Sequence, residues 1–279
     1  MHPRPRGGRP RWIRKDQITQ SSGLRFRTML AEGVAAGNDQ KIPKEGDIKL
    51  LLTSVGVTND CIREALVELL GKPVEESRAV QISTALYASP SGPGDAYEMV
   101  KHYGEMGWKE LGTLELAALP SIEEEHWLPF VESSDAILVS GGNTGYLSYW
   151  FQESGFARRL PSVLDERVYF GISAGSTMVT PEQNYDPECL ERDGVYYDHE
   201  YEEAAPQGAG SAWGLGLVGF AIRPYLNADY FPMGNMEMME RAAAKLDYPL
   251  YAVDDGHQGG GRASRGRLRG RVEAVQWIA

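Results

Sequence analysis

Apolar runs of strand length alternate with helical patterns from residue 48 onward. The first run, Ile48–Ser54, is typical of a strand buried on both faces, and Asn59–Leu70 follows with apolar residues at helical spacing that end before Gly71. Further strands are predicted at Ala79–Ala85, Lys109–Leu116, Asp135–Ser140, Val168–Ile172, Gly214–Arg223 and Pro249–Val253. Further helices are predicted at Gly94–Gly104, from the turn at 141–144 to Phe151, and at Asn235–Leu246. This alternation predicts an α/β fold, with a parallel sheet sandwiched by helices and ligands bound beyond the carboxyl ends of the strands.

Both ends of the chain and one internal segment lack this pattern. Residues 1–45 are rich in Arg, Gly, Pro and Gln, and we interpret them as a flexible extension to an α/β domain at residues 46–258. Residues 259–279 form a Gly/Arg-rich tail in which Arg271–Ile278 is a candidate edge strand. The acidic, tyrosine-rich stretch Glu182–Gly210 has little periodicity, and loops of that length in compact domains are usually functional lids or disordered.

The charge distribution argues against a nucleic-acid partner. Residues 28–261 contain 15 basic and 37 acidic residues, a net charge of −22, whereas the basic residues concentrate at the two ends. Phosphate binding needs clustered Lys and Arg on a folded surface, and an acidic body repels phosphates. We therefore expect a small-molecule or peptide ligand, bound by a monomer or homodimer.

Cysteine content and hydropathy indicate the cellular compartment in which the protein is expected. Cys61 and Cys189 have no zinc-type spacing and no neighbouring thiol, so neither a metal site nor a disulfide framework is predicted. The longest apolar runs, such as Ala136–Ser140 and Gly216–Ile222, fall far short of the roughly 20 residues that a membrane span needs. The arginine-rich start lacks the apolar core of a secretory signal. We expect a cytoplasmic protein without a membrane partner.

The strongest chemical motif is Gly171-Ile172-Ser173-Ala174-Gly175. It matches G-x-S-x-G and lies after a predicted strand and before a predicted helix, the context in which that motif presents a nucleophilic serine. The glycines allow a tight turn, and the amide of Ala174 points toward the serine hydroxyl. The alternative is a glycine-rich turn in which Ser173 only caps the helix.

A second motif, Ser140-Gly141-Gly142-Asn143-Thr144, ends the preceding strand. Adjacent glycines let bare backbone amides approach a ligand, so this turn is a candidate for the second donor of an oxyanion hole beside the serine. Taken alone, the motif also fits an ordinary turn. Its position one helix before the serine strand favours the functional interpretation.

These motifs resemble a known family. LLLTSVGVTND at the first strand, ILVSGGNTGYL at the glycine turn, VYFGISAGSTMV at the serine, LGLVGFAIRPYLN and YAVDDG are similar to segments of the peptidase E and cyanophycinase serine peptidases. The resemblance runs from about Lys49 to Asp255, about three quarters of the chain. It implies a class I glutamine amidotransferase-like fold, which is flavodoxin-like and three-layered. It also implies an enzyme that cleaves small acidic peptides or cyanophycin without a cofactor.

The resemblance also assigns expected roles to individual residues. Ser173 is the implied nucleophile, and the amides of Gly142 and Ala174 are the implied oxyanion donors. Asn143 and Thr144 are candidates for substrate binding. Family members that take aspartyl peptides need a cation for the substrate carboxylate, for which the candidates are Arg223, Arg158 and Arg159.

One position departs from the family pattern. The family usually has Pro-His where this chain has Pro224-Tyr225, and that histidine is the general base. Tyrosine, with an ordinary pKa near 10, is a poor proton acceptor at neutral pH, whereas histidine near 6.5 is well matched. Other histidines are weaker candidates: His199 lies in the acidic loop and His257 follows the last predicted strand, while His102 and His126 are expected on surface elements with structural roles.

The acidic partner of the base has several candidates. The family places an acid about 15 residues after the nucleophile or at the end of a later strand. Asp186 is the nearest match to the first position, with Glu182 close by, and Asp254 and Asp255 end the last predicted strand. The same aspartate pair also fits a loop-capping role.

Three functions remain to be compared. The leading hypothesis is a serine-type hydrolase of small peptides. A second is a catalytically impaired family member that binds a peptide or metabolite, because Tyr225 replaces the expected histidine. A glutamine amidotransferase is disfavoured because it needs a cysteine where this chain has Ser173.

Overall fold

The computed structural model describes residues 48–89, 92–181, 214–244, 246 and 248–255, together with the strands Gly266–Arg267 and Val272–Ala274. The extension at 1–45 and the whole of the predicted loop Glu182–Gly210 lie outside the described residues. So do four residues considered for catalysis: Glu182, Asp186, His199 and His257.

Five parallel strands form the main sheet. They are β1 Lys49–Thr53, β2 Arg78–Ile82, β3 Glu110–Thr113, β4 Ala136–Val139 and β5 Val168–Ile172. Their order across the sheet is β1-β5-β4-β2-β3, and every neighbouring pair is parallel. The predicted α/β architecture is confirmed.

Seven α-helices lie in the described part of the chain. They are α1 Asp60–Leu70, α2 Pro93–Glu105, α3 Leu128–Ser133, α4 Thr144–Glu153, α5 Phe156–Leu164, α6 Ala174–Thr177 and α7 Met236–Ala243. Local chemistry sets their ends: the side chain of Asn59 accepts a hydrogen bond from the Ile62 amide at 3.0 Å, and Gly71 ends α1 with φ 71°.

Helices cover both faces of the main sheet, because successive strand residues point to opposite faces. On β5, Phe170 packs in one core with Leu66 of α1 and Tyr103 of α2. Tyr169, its neighbour, packs in the other core with Phe151 of α4 and residues of α5. These side chains are fully buried, and the result is a helix-sheet-helix sandwich.

A second, four-stranded sheet forms from the later part of the chain. Its strands are β6 Ala221–Arg223, β7 Leu250–Ala252, β8 Gly266–Arg267 and β9 Val272–Ala274, in the order β6-β7-β9-β8. Helix α7 packs its buried residues Met239 and Ala242 against Leu250 of β7. Within the predicted range Arg271–Ile278, a strand forms at Val272–Ala274, and it lies between β7 and β8 rather than at an edge of this sheet.

Several predicted elements are shorter than expected. The strand predicted at Gly214–Arg223 exists only at its end, because Gly216 adopts φ 63° and the Leu215 and Leu217 amides donate to carbonyls of 178–179 rather than to a strand. The strand predicted at Ala79–Ala85 ends at Ile82, since a 3-10 turn follows at Thr84–Ala88.

Two further predictions are trimmed in the same way. The strand predicted at Lys109–Leu116 shortens to Glu110–Thr113, and the helix predicted at Asn235–Leu246 begins at Met236, with Asn235 as its cap. Helix α7 ends at Ala243, before the predicted end. Turns and helix caps set where these strands and helices end, and apolar periodicity does not predict the positions of turns and caps.

Candidate active site

Ser173 occupies a strained turn at the carboxyl end of β5. Its backbone has φ 50° and ψ −113°, a conformation that non-glycine residues rarely adopt, and α6 begins at the next residue. Its amide donates to the Thr53 carbonyl at 3.0 Å, and its carbonyl accepts from Ser176 and Thr177. The side chain does not cap the helix and makes no hydrogen bond within the described residues. The turn therefore holds Ser173 in place through its backbone and leaves its hydroxyl uncommitted.

Three glycines leave the space that this turn needs. A Cβ atom on Gly175 would lie 2.0 Å from the Val139 carbonyl oxygen, and one on Gly171 would lie 2.7 Å from the Ser176 nitrogen. A Cβ atom on Gly141 would lie 3.0 Å from the Cβ of Ser173. The first two contacts are with backbone and cannot relax by a side-chain rotation, so both positions of the motif require glycine.

The glycine turn after β4 runs beside Ser173. Gly142 has φ 120°, and a Cβ atom there would lie 2.5 Å from the carbonyl carbon and oxygen of Ala85. The Gly142 amide has no acceptor among the described residues, and neither does the amide of Ala174, the first residue of α6. Both predicted oxyanion donors are thus backbone amides without an acceptor in the described part of the chain.

Asn143 and Thr144 form the start of α4. The side-chain oxygen Oδ1 of Asn143 accepts a hydrogen bond from the Tyr146 backbone amide at 2.7 Å. The backbone amide of Asn143 donates to the Ala85 carbonyl at 3.1 Å. The side chain is 1% exposed, and its Nδ2 is buried without a partner in the described part of the chain. Thr144 is also buried. Asn143 thus has a capping role, which the sequence did not suggest, and substrate contact by either residue stays a prediction.

Tyr225 lies on the other side of the serine strand from Gly142. Ser173 bonds to Thr53 at the end of β1, and the hydroxyl of the next residue, Ser54, accepts from the Tyr225 amide at 3.0 Å. Tyr225 has φ 68°, so it too is a non-glycine residue in the left-handed region. Its carbonyl accepts from the Ala228 amide at 3.2 Å. Backbone strain of this kind persists only where the surroundings impose it and clusters at functional sites.

Asp255 connects three segments at this edge. Its carboxylate accepts hydrogen bonds from the Ser54 hydroxyl and from the Tyr230 hydroxyl, and its carbonyl accepts from Thr58 at 3.2 Å. Partial burial and the bond to Asp255 raise the pKa of the Tyr230 hydroxyl well above its ordinary value. The Tyr230 hydroxyl is therefore in its protonated, hydrogen-bond-donating form at neutral pH.

An aromatic group surrounds Tyr225. Its ring centroid lies 5.7 Å from that of Tyr230 and 5.3 Å from that of Phe231. The guanidinium carbon of Arg223, at the end of β6, lies 5.3 Å from the Phe231 ring centroid, a cation-π distance. Arg223 therefore belongs to the same wall of the site as Tyr225, and its contact with a substrate carboxylate stays a prediction.

The remaining candidates lie elsewhere. Arg159 pairs with Glu124 at 2.6 Å on the surface. His126 is exposed in a short 3-10 turn, as expected. His102 differs from expectation, because it is half-buried on α2 and its Nε2 is buried without a partner within the described residues. An added Cβ on Gly56 would lie 3.6 Å from that nitrogen.

Sequence reasoning missed Ser54 and Tyr230. Ser54 was assigned to the first strand, although a polar residue directly after a buried strand of a parallel sheet is at the ligand-binding edge. No sequence motif points to Tyr230, because only the fold brings it next to Tyr225 and Asp255. No three His, Cys, Asp or Glu side chains of the described residues converge in a way that could hold a metal ion. Among those same residues, no helix has the length and hydropathy to cross a bilayer.

The chain matches a known protein family over most of its length. Residues 50–258 match peptidase family S51. The chain belongs to peptidase family S51. It is therefore a serine peptidase-like hydrolase, as the resemblance to peptidase E implied. No curated protein matches the chain.

A solved structure shares the fold of this family S51 member. A protein assigned to peptidase E from Listeria monocytogenes EGD-e superimposes with a TM-score of 0.53 at 20% identity, covering 75% of this chain and 91% of that chain. A peptidase from an acI-B1 actinobacterium gives a TM-score of 0.43 at 17% identity, covering 76% of this chain and 82% of that chain. The superposition on the Listeria protein establishes the fold of this chain and does not identify its substrate.

Proposed function

We propose that this family S51 member hydrolyses small peptides through Ser173. The observation that carries the proposal is the strained turn, with φ 50°, that fixes Ser173 by its backbone while its hydroxyl has no hydrogen bond among the described residues. A serine that only capped α6 would use that hydroxyl on the helix amides. The geometry therefore favours a reactive role over a structural one.

The proposed reaction has two steps. The Ser173 oxygen attacks the scissile carbonyl, the amides of Gly142 and Ala174 stabilise the oxyanion, and the C–N bond breaks as the leaving amine takes a proton. Water then attacks the acyl-enzyme and releases the acid and the free serine. Each oxyanion donor of this type is worth roughly 10²–10³ in rate. In this proposal, a residue on the β1 side of Ser173 takes the proton of the serine hydroxyl and passes it to the leaving amine.

Tyr225 is the residue that this proposal places there, with Asp255 as the nearby acid. The Tyr225 amide bonds to Ser54, and Ser54 in turn donates to the Asp255 carboxylate, so the two candidates share one partner. Of the aspartate pair, Asp254 is exposed, and Asp255 is the one bonded to Ser54 and Tyr230. Asp255 is thus the more plausible acid of the two.

Covalent labelling tests the nucleophile directly. A fluorophosphonate probe is expected to label the parent protein, with the modified peptide containing Ser173, and hydrolysis of aspartyl dipeptides is expected to stop in Ser173→Ala. The matched control is Ser162→Ala, an exposed serine on α5 whose hydroxyl donates to the Arg159 carbonyl. Labelling that persists in Ser173→Ala and is lost in the Ser162→Ala control would contradict the proposal.

A second function has one observation in its favour. Tyr225 in place of a histidine base favours an impaired enzyme that binds a peptide without turning it over. Under that alternative, dipeptides bind the parent protein while hydrolysis and probe labelling are both slower than in an active serine hydrolase.

A further inference from the structure

Tyr230 presents an aromatic face to solvent beside the proposed site. It is 64% exposed, one of four large apolar side chains exposed in the described part of the chain, with Tyr87, Tyr97 and Ile122. Of these four, Tyr230 is the one whose ring stacks on Tyr225, with a T-shaped angle of 72°. An exposed aromatic ring beside a candidate site is typical of a recognition surface, because a tyrosine ring offers large contact area at low entropy cost.

The Tyr230 ring is also held in position. Its hydroxyl donates to Asp255, and its face is set by Tyr225, whose backbone is fixed at both ends by Ser54 and Ala228. A side chain that is already immobilised loses little freedom when a ligand binds, so more of the contact energy appears as affinity. Asp255 acts here as a positioning residue, since it binds the hydroxyl and leaves the ring face open.

The side of the site on which Tyr230 lies follows from the strand order. Ser173 ends β5, whose neighbours are β4, followed by Gly142, and β1, followed by Ser54. Gly142, one of the two proposed oxyanion donors, follows β4, whereas the amide of Tyr225, the proposed proton-transfer residue, bonds to Ser54 after β1. In acyl transfer the leaving nitrogen takes its proton from that residue, so the leaving-group part of the peptide extends along the β1 side.

We propose that Tyr230, with Tyr225, forms a subsite for an aromatic side chain on the leaving-group residue of the peptide. This inference rests on the proposed function of Ser173, because that function decides which part of the peptide faces β1. An aromatic occupant fits best, since paired rings stabilise each other beyond the effect of the area that they bury. Tyr230 is then a specificity-determining residue.

The test compares dipeptides that differ only after the scissile bond. Binding of Asp-Phe and Asp-Ala to the full-length Ser173→Ala protein is measured by titration calorimetry, and kcat/KM for both is measured on the parent protein. We expect Asp-Phe to be preferred about fivefold, the equivalent of one aromatic pair. Adding Tyr230→Ala should reduce that preference to about twofold or less.

Two variants sharpen the result. Tyr97→Ala removes a tyrosine of similar exposure, 66%, from α2, and should leave the preference unchanged. Tyr230→Phe keeps the ring and loses the bond to Asp255, so a preference should persist. An unchanged Asp-Phe to Asp-Ala ratio in Tyr230→Ala, a complete loss in Tyr230→Phe, or no binding of either dipeptide would overturn the subsite.

The two proposals fail separately. If the fluorophosphonate probe does not label Ser173 and yet the binding preference depends on Tyr230, the hydrolase proposal fails and the aromatic subsite stands as a binding site. If Ser173 is labelled and the peptides are cleaved with no influence of Tyr230 on the preference, the subsite fails alone.

Discussion

Changing Tyr225 to histidine tests where the proton goes in this site. A phenol with an ordinary pKa near 10 is about 0.1% deprotonated at pH 7, whereas an imidazole with a pKa near 6.5 is about three quarters in its basic form. The population able to accept the Ser173 proton therefore differs by nearly three orders of magnitude. Because general-base catalysis contributes typically 10²–10⁴-fold, we expect Tyr225→His to raise kcat/KM at pH 7 by about 100-fold.

The structure indicates that the backbone will tolerate this change. Tyr225 is held at φ 68° by hydrogen bonds of its own amide and carbonyl, to Ser54 and Ala228, and these do not involve the side chain. Histidine is among the residues enriched at positive φ. The loss is in ring contacts with Tyr230 and Phe231, at 5.7 and 5.3 Å, and we expect a decrease in stability of about 1 kcal/mol.

The assay is hydrolysis of aspartyl dipeptides between pH 6 and 10. The parent activity should rise steeply with pH, and Tyr225→His should reach a plateau near pH 7.5. Tyr225→Phe is the matched control, since it keeps the ring, removes the hydroxyl and should abolish the rise. Strong parent activity at pH 7 that is unaffected by Tyr225→His and abolished by Ser173→Ala would show that another residue is the base.

Three further predictions concern the scaffold. The Tyr103 hydroxyl is buried without a partner in the described structure, so Tyr103→Phe should stabilise the protein by about 1 kcal/mol in urea unfolding. Although burial works to raise the pKa of Asp135, a backbone hydrogen bond at 2.8 Å and a lysine at 2.9 Å hold it below its ordinary value. Asp135→Asn should therefore cost about 1.5 kcal/mol at pH 7, and because the folded-state pKa is depressed, this difference should shrink as the pH falls below about 4. Gly175→Ala should prevent folding, judged by circular dichroism, because its Cβ would lie 2.0 Å from the Val139 carbonyl oxygen, whereas Gly104→Ala on α2 meets no atom within 4 Å and should be neutral or stabilising.

Local requirements explain why the serine turn could be predicted from sequence. The glycines at 171 and 175 lie within two residues of Ser173, and the apolar run before them identifies a buried strand. A strand followed at once by a small-residue turn and a helix is specified by neighbouring residues, so the conformation of Ser173 at φ 50° agrees with the prediction. The alternating pattern predicted the parallel sheet for the same reason.

Strand and helix ends were predicted less well, because they depend on single hydrogen bonds. Asn143 illustrates this: its sequence context suggested a ligand contact, and in the structure its side-chain oxygen caps α4. The short β6 likewise reflects Gly216, which turns the chain before the ladder can extend.

The opposite wall of the site was decided only by tertiary structure. The hydrogen bond between Ser54 and Asp255 joins residues 201 positions apart, and that between Tyr225 and Ser54 joins residues 171 apart. Their proximity depends on the order of strands in two sheets, which apolar periodicity does not encode. Sequence by itself determined the α/β class and the serine turn, because both depend on near neighbours along the chain. The fold alone decided that Tyr225, Tyr230 and Asp255 meet beside that turn, because long-range strand order brings them together.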